Sequence, residues 1–283
     1  MHSIVKSMRD GFTVHALDDG NDYWSVVERF RAGTLSARTV PNRKPHVRRV
    51  FFLEEFDRPM VLKWEMGSER RLERLIWHAI HGPFLSTQMR RVHTALDCGC
   101  HVTQNIYLVA ERMRGPICVE SFWLGQYISG RPLTDYVVEE MTGLRNGEDD
   151  VCSRDGDWVD LNYHDVASNI HIRIPVNDYN GISFALRDLH AHGLALCDLH
   201  PSNILIGTDG VRIIDLNNRG LLCLSVAKDI NRARMRYGID IRPTGLRLRI
   251  SCWYESLLDL LRQLKRRIGI RKKHRQKGRK NCS

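Results

Sequence analysis

The chain has 283 residues, 42% hydrophobic and 27% charged, which is the balance of a folded globular protein and excludes a disordered or fibrous one. That length suits one large domain or two small ones, with a core that needs no disulfide or metal staple. The net charge of +10 is uneven: eleven Lys and Arg lie between Arg262 and Lys280 with no acid among them, so the rest of the chain is close to neutral.

No apolar stretch reaches the roughly 18–20 residues that span a bilayer. The start, MHSIVKSMRDGFTV, has no apolar core of a secretory signal. Neither a transmembrane helix nor an export signal is expected. The eight cysteines are scattered, and only Cys98 and Cys100 are close, as CGCH. That run has neither c-type haem spacing nor a second pair for zinc, so free thiols in a reducing cytosol are expected.

In chain order, VRRVFFL and PMVLKWE within 48–66 read as two strands around a turn. Val61, Lys63 and Glu65 share one face of the second, because strand side chains alternate. Residues 69–81 have apolar positions at helical spacing, ended by Gly82-Pro83, and a second helix is expected from about Phe84 to Leu96. IYLVAERM and ICVESFWLGQYI read as strands separated by Arg114-Gly115-Pro116. From Gly143 to Asp165 the chain is rich in Asp and Glu and poor in aliphatics, which predicts an exposed acidic loop. DGDWVD within it lacks the twelve-residue pattern and closing Glu of a calcium loop. ISFALRDLHAHG is an amphipathic helix with Gly193 where a C-terminal cap belongs. LALC, NILIG and VRIID follow as short apolar runs, the last two joined by the hairpin signal GTDG. Residues 226–237 and 253–268 read as helices, the latter with the stripe Trp253, Leu257, Leu261, Leu264 and Ile268.

Chemistry concentrates in residues 190–216. A helix leads into a loop that presents Asp198, His200 and Asn203, and a hairpin follows that ends in Asp215. Two carboxylates and an amide beside a rigid core can surround a divalent cation and a phosphate, and oxygen donors suit magnesium. Asp and Asn are common in turns, and Asp-x-x-x-x-Asn alone is a weak signal. A helix, that loop and a hairpin closed by a second Asp together are far more specific.

These residues resemble the catalytic loop and metal-binding Asp of the protein-kinase-like superfamily. His two places after the Asp looks like the small-molecule and sugar kinases of that superfamily, since protein kinases carry Lys there. With VLKW, the run from ERLIWHAI to ALDCG, IYLVAERM, QYISG, and GVRIIDL followed by AKDINRARMRYGI, the chain resembles the lipopolysaccharide core heptose kinases over residues 35–245. The resemblance implies a two-lobed α+β fold, with a small β-rich N-lobe (1–125), a mainly helical C-lobe (126–261) and a basic tail (262–283).

By position, Asp198 would orient the acceptor hydroxyl and accept its proton. Asn203 and Asp215 would hold Mg2+ against the phosphates of ATP. Lys63 would contact the α- and β-phosphates; otherwise it is a surface lysine on an exposed strand. His200 would bind phosphate or brace the loop. Gln126 and Ile128 would offer backbone groups to adenine. The implied reaction is γ-phosphoryl transfer to a heptose hydroxyl of the lipopolysaccharide inner core. Another acceptor (a Kdo sugar, a small metabolite or a protein) and a pseudokinase-like binding module are the rival readings.

The chain also departs from the pattern. No G-x-G-x-x-G precedes the lysine strand; RTVPNRKPHVRRV stands there, so phosphate cover has to come from side chains or another loop. Leu196-Cys197 stand before Asp198 where His-Arg or His-Gly is usual. Leu216-Asn217 follow Asp215 in place of Phe-Gly, and no Ala-Pro-Glu follows. The acid partner of Lys63 is open between Glu69 and Glu73, and the second helix offers only Gln88. The basic tail suits an anionic membrane face or is a solvated extension of a packed helix; nucleic acid ranks last. The partner implied is a lipid-linked core oligosaccharide at the cytoplasmic side of the membrane, and the oligomeric state is left open.

Overall fold

The computed structural model describes residues 3–40, 48–66, 84–115, 117–140, 152–164, 169–196, 199–216, 222–258 and 260–261. The helix expected over 69–81 with Glu69 and Glu73, the dipeptide Cys197-Asp198 and the tail 262–283 lie outside the described residues.

Among the described residues, the N-terminal lobe is an antiparallel sheet with one helix before and one helix after its lysine strand. Its strands are β1 (Ser3–Arg9), β2 (Phe12–Asp18), β3 (Arg38–Val40), β4 (Arg48–Leu53), β5 (Met60–Met66), β6 (Ile106–Arg114) and β7 (Ile117–Gln126). They run in the order β1-β2-β6-β7-β5-β4-β3. Helix α1 (Tyr23–Arg31) starts at Asp22, whose carboxylate accepts the Ser25 N–H. Its Tyr23 ring stacks on Tyr107 of β6, 4.9 Å between centroids. Alternation sends Leu62 and Met60 of β5 into the core with Leu108, Phe122 and Leu124, and leaves Lys63 on the other face. The β4–β5 hairpin forms as expected, with Val50 opposite Lys63 and Arg48 opposite Glu65.

Helix α2 (Phe84–Asp97) buries Met89, Val92 and Ala95 on one stripe, and His93 Nε2 meets the Ile106 carbonyl at 2.7 Å. Its N-terminus rests on Glu111 of β6, which is buried and accepts the Ser86 N–H. Burial pushes the Glu111 carboxyl up to about 7, against backbone N–H donors from residues 84–86 that favour its charged form. The raised value keeps the folded carboxyl protonated at mildly acidic pH, where the unfolded one is already ionised. The stability this group contributes is full below its unfolded value of about 4.5 and is lost as pH rises toward 7. Stability should therefore fall between pH 5 and 8 by about 3 kcal/mol from this group. Glu111→Gln should flatten that slope in denaturant melts at the two pH values. An unchanged slope would mean that Glu111 does not titrate in this window.

The C-terminal lobe follows the link after β7. It contains β8 (Arg131–Pro132), β9 (Val137–Glu140), β10 (Cys152–Asp155), β11 (Trp158–His164), β12 (Asn169–Pro175), α3 (Val176–Ala191), β13 (Ile204–Gly207), β14 (Gly210–Ile213) and α4 (Leu222–Tyr237). Two sheets form, β10-β11-β12-β9 and β14-β13-β8. A further helical run covers 246–258 and 260–261.

The acidic stretch expected as a loop over 143–165 is corrected in its second half. Residues 152–155 and 158–164 are paired strands, turning at Gly156-Asp157, with Gly156 at φ 59°. Val159, Leu161 and Tyr163 alternate into the core, and Asp160 on the opposite face meets His171 at 2.9 Å. The acids occupy the turn and the outer face, so their density hid a period of two. No helix among the described residues is long and apolar enough to cross a membrane.

Candidate active site

The site is built where β14 ends. The β13–β14 hairpin closes at Gly207 opposite Gly210, and the latter has φ 98°, a value open to glycine. Beyond Ile213 the Ile214 N–H donates to the Asn203 carbonyl at 3.0 Å, while Ile213 N–H donates to Val102 at 2.6 Å. These bonds place Asn203 and Asp215 on adjacent backbone. Asp215 itself has φ 60°, a left-handed conformation that short polar side chains tolerate better than others.

Two cations from the N-terminal lobe reach it. Lys63 Nζ of β5 and Arg48 Nη2 of β4 each lie 3.0 Å from Asp215 Oδ1. Arg48 also approaches Glu65 at 3.4 Å, its partner across the hairpin. Burial raises the Asp215 carboxyl, but Lys63 and Arg48 outweigh it and hold the group well below the usual carboxylate range. Burial lowers the Lys63 ammonium, with Asp215 opposing. Lys63 Nζ also sits 4.4 Å over the Trp123 ring of β7. Trp123 packs close against Gly125, where an added Cβ would come within 2.4 Å of the indole.

Helix α2 holds the same point from behind: Gln88 Nε2 donates to the Leu216 carbonyl. Among the described residues, the carboxylate on Lys63 is Asp215 and not a helix acid.

Asp198 lies outside the described residues, but both its flanks are clamped by α4. Leu196 N–H donates to Asp229 Oδ2 at 2.6 Å, and Asp229 is fully buried. The Leu199 carbonyl accepts from the Tyr237 hydroxyl and from Arg236, each at 3.3 Å. His200 braces the loop: its Nδ1 accepts the Ser202 N–H at 3.2 Å and meets the Ser202 hydroxyl at 2.8 Å. Its ring stands edge-on to Tyr163. These contacts show His200 bracing the loop through Ser202.

One expectation is narrowed. The Gln126 N–H donates to the Asn105 carbonyl at 2.9 Å, so it is spent inside the protein and is no adenine donor. Ile128 follows on the link as a half-buried residue. Three contributors escaped the sequence: Arg48, Asp229 and the backbone role of Gln88. Asp229 had a signal, a carboxylate between Val226, Ile230 and Ala233 on the buried stripe of a helix.

Residues 165–267 match the family model described as lipopolysaccharide core biosynthesis protein (WaaY). Over that span the chain is WaaY-like. The span holds Asp198, Asn203, Asp215 and Asp229 and leaves out Lys63 and Arg48, the two cations on Asp215. No curated protein matches the sequence. Among solved structures, one of WaaP in complex with acyl carrier protein is 18% identical, covering 86% of this chain and 87% of that one, with a TM-score of 0.40. The PknI kinase domain of Mycobacterium tuberculosis is 12% identical with a TM-score of 0.34 and covers 63% of this chain. The chain spans 56% of that domain's length. In chain order the described residues run a lysine strand, a helix, two strands and a link, then β8–β12, a helix, a loop and a hairpin followed by Asp215.

Proposed function

We propose that this chain is a magnesium-dependent kinase that transfers the γ-phosphoryl group of ATP to a heptose hydroxyl of the lipopolysaccharide core. The carrying observation is Asp215, at the end of its hairpin beside Asn203, meeting Lys63 and Arg48 from the opposite lobe. The WaaY-like span supports the acceptor class.

Asn203 and Asp215 form an all-oxygen donor set, which fits Mg2+; the ion would screen charge on the β- and γ-phosphates. Both cations sit on Oδ1 of Asp215, so a metal would take Oδ2. Lys63 and Arg48 then have phosphate oxygens as alternative partners, and Arg48 supplies cover that a glycine-rich loop gives elsewhere. Asp198 accepts the proton of the acceptor hydroxyl. That oxygen forms its bond to the γ-phosphorus as the bond to the β–γ bridging oxygen breaks, and ADP leaves. Asp229 and Tyr237 hold Leu196 and Leu199, the described residues on either side of Asp198, against α4. The cations of 262–280 support docking on the anionic cytoplasmic face of the membrane, where a lipid-linked core would be met.

The test is to incubate the full chain with Mg-ATP and defined truncated lipopolysaccharides, then locate new phosphate by mass spectrometry. Phosphate on heptose is expected. Phosphate only on the Kdo region or only on protein would remove the heptose acceptor. No transfer to any acceptor, with no binding of Mg-ATP, would remove the kinase.

A further inference from the structure

The helical run 246–261 is oriented against the usual rule. A surface helix normally turns its apolar stripe to the core and its charges to water. Here Ser251 and Glu255 are buried, with Leu248 and Cys252 half-buried against the core. Asn231 of α4 donates to the Cys252 carbonyl and the Ser256 hydroxyl from that side. The opposite face carries Leu246, Ile250, Trp253, Tyr254, Leu257 and Leu261, spaced i, i+4, i+7, i+8, i+11 and i+15, and all are exposed. Leu246 is 75% accessible and Trp253 66%. Lone exposed apolar residues are ordinary; a continuous stripe of this length on one helix is not.

Charge identifies what covers it. Arg247 and Arg249, both exposed, flank the stripe, and the eleven cations of 262–280 follow directly in the chain. A second copy of the chain on this face would bring two such cationic tails together, and the repulsion opposes that pairing. An anionic bilayer offers acyl chains to the stripe and phosphates to the arginines and the tail. We infer that helix 246–261 lies in the plane of an anionic membrane with its Leu246–Leu261 stripe inserted below the headgroups. This rests on the proposed membrane role of the tail and adds an apolar contact to it. It also fixes orientation, because the buried side of the same helix is anchored to α4, which carries Asp229 and Tyr237.

The experiment floats the full chain with vesicles of phosphatidylethanolamine and phosphatidylglycerol, or of phosphatidylcholine alone. Two variants are compared: Ile250→Ser with Trp253→Ser and Leu257→Ser, and a truncation after Leu261. All three substituted side chains are exposed, so the triple variant should melt like the parent. The parent should bind anionic vesicles, with a fraction that survives high salt, and Trp253 emission should shift to the blue and be quenched by brominated acyl chains. The triple variant should lose about a hundredfold or more in partitioning, since each large apolar side chain buried is worth over tenfold. It should keep Mg-ATP binding, which separates this result from failure of the kinase reading. The truncation should lose the salt-sensitive part only. A triple variant that floats like the parent, or Trp253 emission that stays unchanged while the tail still binds, would overturn the inserted stripe. A parent that ignores vesicles, or a parental dimer that the triple variant makes monomeric, would overturn it as well; the dimer would make this face a contact between copies.

Discussion

Asp198→Asn is expected to bind Mg-ATP like the parent and to lose about three orders of magnitude in phosphoryl transfer, the weight of a positioned proton acceptor with its orienting charge. The substitution keeps the side chain's size. Leu196 N–H is held by Asp229 and the Leu199 carbonyl by Tyr237 and Arg236, so the backbone on both sides is fixed by α4. Single-turnover transfer and calorimetric titration with Mg-ATP separate the two quantities. Transfer within a few fold of the parent would take Asp198 out of the chemistry. A joint loss of binding and transfer would instead assign it to nucleotide or metal binding.

Much of this site was legible because its signals are local. The β4–β5 hairpin, α2, and the β13–β14 hairpin with its closing acid each lie within one short window whose period or turn residues state the structure. Arg48 was not legible in the same way. An arginine at the start of a half-buried strand reads as solvated, and its bond to Asp215 joins positions 167 apart in sequence. Only the register, two rungs along the hairpin from Lys63, puts both cations on one face. The missing glycine-rich loop left phosphate cover to side chains or another loop, and Arg48 lies in RTVPNRKPHVRRV, the stretch that stands in its place. The β10–β11 strands were hidden by composition, since acids on the outer face and turn outweighed three buried alternating residues. The outward stripe of helix 246–261 was visible as a stripe over Trp253, Leu257 and Leu261. Which way it faces is set by what packs behind it, and no periodicity encodes that.

Asp215→Asn should lower the affinity for Mg-ATP by about a hundredfold or more, because even residues that only support metal ligands cost 10- to 100-fold when lost. Asparagine is the informative change: it keeps the shape and tolerates φ 60°, where alanine would add backbone strain. The charge it removes also balances Lys63 and Arg48, which would be left with Glu65 as their near acid. Half-exposure of the carboxylate moderates that cost to about 1–2 kcal/mol of fold stability. This loss should be flat between pH 5 and 8. The folded carboxyl is held far below its unfolded value of about 3.8, so its contribution is present above that value and disappears only in strong acid. Glu111 supplies the contrast, with a slope across that same window. Arg48→Ala separates the metal ligand from the phosphate cation. It keeps Asp215 and should lose about tenfold in affinity for Mg-ATP while leaving adenosine binding unchanged, as expected for one charge-assisted contact to phosphate. If Asp215→Asn and Arg48→Ala both bound Mg-ATP like the parent, the meeting of the lobes at Asp215 would be a structural ion pair and not a nucleotide site. If Arg48→Ala weakened adenosine as much as ATP, Arg48 would be holding the lobe in place and not the phosphates.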